Sequence, residues 1–73
     1  MIPESGRALI NLHMKNAEQT ESDSYAEECL AAASSMLGYA CACNHLSPAE
    51  YSNELVLIQL ARARRVNRAS ARS

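Results

Sequence analysis

The six residues Leu46-Ser47-Pro48-Ala49-Glu50-Tyr51 constrain this chain more than any other stretch. Ser47 is an N-cap residue type, able to accept a hydrogen bond from a free backbone N–H of a first helical turn. Pro48 then falls at the first helical position, where its missing N–H costs nothing. Glu50 stands three residues after Ser47, the spacing of a reciprocal capping box, and Leu46 is placed to staple onto Tyr51. A helix therefore starts at Pro48. Apolar helical sequence lies on both sides of this start, so the expected core of the fold is a helical hairpin.

With 73 residues the chain holds one domain. A chain of this length buries too small a fraction of its surface for large stability as a monomer. Tyr25, Tyr39 and Tyr51 are its only aromatic residues, and alanine is abundant. Small helical proteins usually gain stability from a disulfide, a metal or a partner subunit. Self-association is the expectation here.

The first helix of the hairpin is expected over about 24–43. Ser24 and Glu27 match the capping-box spacing, and Glu27 and Glu28 suit the positive end of a helix dipole. Thr20 with Asp23 offers a start one turn earlier. Tyr25, Cys29, Ala32 or Ala33, Met36, Ala40 and Cys43 recur at helical steps. Leu30, Ala33, Leu37 and Ala40 make a second, overlapping row, so the apolar stripe is broad. Gly38 in the helix interior costs about 1 kcal/mol against alanine and marks an expected close crossing. Asn44 suits a left-handed C-terminal cap.

The second helix is expected over about 48–66. Tyr51, Leu55, Ile58 and Ala61 face one way, while Val56, Leu57 and Leu60 occupy much of the rest. A two-helix protein cannot cover a helix apolar on so many sides, which calls for another chain.

Residues 1–20 are expected to form an N-terminal arm, flexible or ordered by a partner. Ala8, Ile10, Leu12 and Met14 alternate as in a short strand, yet Ile10, Met14 and Ala17 fit one helical face, and periodicity leaves both open. The expected organisation is thus an arm over 1–20, a hairpin domain over 21–68 and a disordered tail over 69–73. The opening residues lack a basic segment followed by an apolar run, so no secretory leader is expected. No apolar run approaches the roughly 18 residues of a membrane span. A cytoplasmic protein with reduced thiols is the expectation.

Cys29, Cys41, Cys43 and His45 are zinc-ligand types, but their spacing fits no structural site. Small apolar core residues are the simpler reading of the cysteines, and no metal or cofactor is expected. His45 falls in the interhelical turn, where solvent exposure is the ordinary state. Cys43 and His45 resemble a nucleophile and base in composition alone. No phosphate-cradling loop or metalloprotease motif is present. A non-enzymatic protein is expected.

Charge is segregated along the chain. Residues 1–54 hold two basic and eight acidic side chains, net −6, and residues 55–73 hold five arginines and no acid, net +5. Arg62, Arg64, Arg65 and Arg68 could dock on an acidic partner, neutralise phosphates, or pair with the acidic half of their own chain. Nucleic acid is the least favoured of these, because the rest of the chain is acidic and the cluster holds no aromatic residue for stacking.

The short turn at Leu46-Ser47-Pro48-Ala49-Glu50-Tyr51, followed by a leucine-rich helix ending in Ala61-Arg62-Ala63-Arg64-Arg65, resembles the small prophage antirepressors over residues 24–66. The resemblance implies a non-enzymatic helical oligomer that binds a transcriptional repressor in the host cytoplasm and prevents its binding to DNA. Other phage-encoded inhibitors of host proteins share the same look. The whole reading is an all-α hairpin that assembles as a helical-bundle oligomer. Leu55, Leu57, Ile58 and Leu60 would supply apolar contact with a copy or a partner, and Arg62, Arg64 and Arg65 would match an acidic surface.

Overall fold

Three helices make up the computed structural model, which describes residues 1–72 and their side chains as far as Arg68: α1 (Glu4–Gln19), α2 (Asp23–Ala42) and α3 (Pro48–Arg72). There is no strand among the described residues.

The helix boundary at Pro48 forms as its residues dictate. The Glu50 N–H donates to Ser47 Oγ at 3.1 Å, and the Ser47 N–H donates to Glu50 Oε1 at 2.9 Å. Leu46 is buried, and Tyr51 packs against the same core. The turn before it is closed by Asn44, whose φ of 62° is the left-handed conformation. The His45 N–H returns to the Ala40 carbonyl at 2.8 Å and the Asn44 N–H to that of Cys41 at 3.1 Å. This pair of bonds is the Schellman pattern, which satisfies carbonyls left free at a helix end.

Residues 4–19 are helix, not the strand or flexible arm expected of residues 1–20. The helical row Ile10, Met14, Ala17 outweighs the alternation: Ile10 and Ala17 are buried, Met14 is half-buried, and Ala8 and Leu12 face solvent. An arm becomes a helix because that row has a core to enter, and tertiary packing supplies most helical stability. The start of α2 also shifts. Ser22 caps it, accepting from the Tyr25 N–H at 3.2 Å, in place of Ser24 or Thr20. At the other end α3 runs past Val66 to Arg72, so the tail expected at 69–73 is helical through Arg72, and Ser73 lies outside the described residues.

Arg7 meets Glu54 at one end of the molecule, and Arg64 meets Glu18 at the other. Hence α1 and α3 run parallel, with α2 antiparallel to both. Every pair of helices is in contact, and the α1–α2 contact is the most extensive. The core is Ile10, Ala17, Ala26, Cys29, Leu30, Ala33, Leu37, Ala40, Leu46, Ile58 and Ala61. Five of these are alanine, which lets helices approach closely while contributing little apolar area each.

Candidate association surface

The core-facing side of α3 is a row at alternating four- and three-residue steps: Tyr51, Leu55, Ile58, Arg62 and Arg65. Ile58 is buried, and Tyr51 and Leu55 are half-buried against the core cluster. Leu55 and Ile58, expected at an interface, are therefore turned into the monomer, because α1 forms a third wall that a two-helix hairpin lacks. Leu57 and Leu60 remain outside, 51% and 47% exposed, joined by Val56 at 55%.

Arg62, Arg64 and Arg65 hold partners in their own chain. Arg62 Nε donates to Glu27 at 3.1 Å. Arg64 Nε donates to Glu18 Oε1 at 3.0 Å, and a terminal nitrogen reaches the same oxygen. Arg65 is the most enclosed of them, its side chain 13% exposed. It donates to the Ala17 carbonyl at 2.8 Å, to the Thr20 carbonyl, and to Asp23 at 2.7 Å. Arg68 donates to the Glu18 carbonyl. The last turn of α1 has no basic residue of its own. Arg65 and Arg68 supply cationic donors to its free carbonyls from across the bundle, where positive charge complements the helix dipole. Of the three roles open to this cluster, pairing with the acidic half is the one present in the fold.

The cysteines do not converge. Cys29 is buried near the start of α2, and Cys41 and Cys43 lie near its end. Twelve residues of helix separate Cys29 from Cys41, roughly 18 Å along the axis. Among the described residues no three His, Cys, Asp or Glu side chains gather as a metal-ligand set. His45 lines an open groove of about 380 Å³ with Ile2, Gly6, Ile10, Met36 and Tyr39. Likewise, among the described residues no helix is long and apolar enough to cross a membrane.

The outward side of α3 carries the feature that grouping by apolar face missed. Ala49, Asn53, Val56, Leu60, Ala63 and Asn67 follow one another at alternating four- and three-residue steps, and all six are exposed. This is a heptad seam, the spacing that lets one helix pack along another. Its signal was present in the sequence, but only the burial of the opposite face shows which of two rows is left outside. Glu50 flanks this seam. The Ser47 N–H, and then the Ser47 hydroxyl, hold its carboxyl below the ordinary glutamate value. No protein-family profile, curated protein or solved structure matches the chain.

Proposed function

We propose that this protein is a non-enzymatic, protein-binding inhibitor whose assembly depends on the outward face of α3. The observation that carries the reading is the contiguous group Val56, Leu57 and Leu60, all about half exposed on one helix face. Large apolar side chains grouped on the surface of a small protein mark association sites. Leu57 and Leu60 stay in the proposed interface, Val56 joins them, and Leu55 and Ile58 support them from inside. Arg62, Arg64 and Arg65 brace the bundle, and Arg64, 61% exposed at its side chain, also borders the apolar group.

The most concrete form of the activity is that of the small prophage antirepressors: capture of a transcriptional repressor so that it leaves DNA. The support for it is the resemblance over residues 24–66 together with a surface built for helix packing. In the test, wild-type protein and Leu57→Asp are used to capture partners from a lysogenic bacterial host, and each captured repressor is then assayed on its operator DNA. The expected result is a repressor bound by the wild type and displaced from DNA, with capture at least tenfold weaker for Leu57→Asp at unchanged helical content. Undiminished capture by the variant, or no effect on the operator complex, overturns the reading.

A further inference from the structure

We infer that the first occupant of the α3 seam is a second copy of this chain, paired antiparallel about a twofold axis beside Leu57. The inference rests on the association reading above and names its partner and register. A twofold interface requires one patch to be its own complement. The outward face of α3 meets that requirement in both shape and charge.

Glu50 and Arg64 lie seven residues on either side of Leu57, both exposed and both on the same flank of the seam. Seven residues are close to two helical turns, so Glu50, Leu57 and Arg64 form a row with an acid at one end, a leucine in the middle and a base at the other. A twofold axis at Leu57 lays this row against its reversed copy. Leu57 meets Leu57 of the second copy, and Glu50 meets Arg64 twice. In the same register Leu60 lies beside Val56 of the second copy, while Asn53 and Asn67 fall opposite the small Ala63 and Ala49. Apolar side chains thus fill the centre and opposite charges close both ends.

The charged atoms have capacity for these contacts. Among the described residues, the hydrogen bonds of Glu50 engage Oε1 alone, and those of Arg64 engage Nε and Nη2 alone. Glu50 Oε2 and Arg64 Nη1 can therefore meet across the seam without breaking the capping box or the pair with Glu18. Antiparallel pairing also opposes the two helix dipoles. The parallel register loses both acid–base contacts, since Arg64 then faces Gln59. Its compensation is the matching of Asn53 with Asn53 and Asn67 with Asn67, the device that specifies parallel dimers. With the seam closed, the exposed Leu9 and Leu12 of α1 remain for a different protein.

Disulfide trapping in a Cys41→Ser, Cys43→Ser background tests the register, alongside mass measured by light scattering on the unmodified chain. The expected mass is twice the 8.0 kDa of the monomer. Leu57→Cys should oxidise to a covalent dimer in high yield. Asn53→Cys alone should not, whereas Asn53→Cys with Ala63→Cys should give a doubly linked dimer. Ready oxidation of Asn53→Cys with none at Leu57→Cys overturns the antiparallel register. A mass of 8.0 kDa up to about millimolar concentration overturns self-pairing altogether, since even weak complexes of a few kcal/mol populate there. A dimer that displaces no repressor removes the proposed function and leaves this inference standing. A monomer that still displaces one does the reverse.

Discussion

The hydroxyl oxygen of Tyr51 stands 3.4 Å from the point a Cβ on Gly38 would occupy. The space between α2 and α3 at Gly38 is filled by the far end of the Tyr51 side chain, with no backbone atom of α3 within 4 Å of that point, so the contact does not show the close crossing expected there. The separation admits a methyl group in ordinary contact, and no positive φ holds the site to glycine. Gly38→Ala should stabilise the protein by about 0.5–1 kcal/mol through helix propensity and a less flexible unfolded chain. Chemical denaturation reads this as a higher midpoint at unchanged slope. A lower midpoint would show that Tyr51 cannot yield.

Arg65 joins the end of α1 to the start of α2 through two carbonyls and Asp23. Its removal leaves those carbonyls short of a donor in a partly enclosed place. Arg65→Met keeps the aliphatic length and should cost roughly 1–3 kcal/mol, the range for stranding such acceptors. Lysine, lacking the planar fork of donors, should recover only part of the loss. Equal stability of the methionine variant and the wild type would refute this role.

Ser47→Ala removes the side-chain acceptor of the α3 cap and should cost about 1 kcal/mol. The same cap sets a pH dependence. Glu50 is bound as the anion by the Ser47 N–H, so its carboxyl titrates below the ordinary value. A group whose folded pKa is depressed contributes stability above its unfolded value, and that contribution is lost as pH falls through the folded value. Between about pH 5 and pH 3 the wild type should therefore lose more stability than Glu50→Gln. Parallel curves for the two proteins would count against the capping box in solution.

Ala33 is wholly buried among Leu30, Leu37 and the facing helices. The three further carbons of a leucine have no space there, and overpacking of this kind costs roughly 1–3 kcal/mol. Ala33→Leu should lower the thermal midpoint, whereas Ala63→Leu, on the exposed seam, should leave the monomer fold and its thermal midpoint intact. Opposite results would reverse the assignment of inner and outer faces.

Arg7 and Glu54 meet at 2.7 Å with side chains 36% and 20% exposed. Such partly solvated pairs contribute roughly 0.2–1 kcal/mol after screening. A double-mutant cycle with Arg7→Ala and Glu54→Ala should give a coupling in that range that shrinks with added salt. A salt-independent coupling would point to packing instead of charge.

What the sequence determined by itself is local. The capping box of Ser47 and Glu50, proline at the first helical position and Asn44 at the C-terminal cap each act within six residues of chain, so they can be read without knowing the fold. The row Leu30, Ala33, Leu37 and Ala40 was legible for the same reason, as a periodicity contained in one helix. Tertiary structure decided everything that joins distant residues. Ile10, Met14 and Ala17 become one face of a helix only because α2 and α3 offer a core to receive them. Arg65 reaches the end of α1 across 48 residues of chain, and no local rule distinguishes that contact from docking on another molecule. The same holds for α3, whose two heptad rows are both consistent with burial. Desolvation rewards whichever row the other helices cover, and α1, by completing the bundle, left Val56, Leu57 and Leu60 in water.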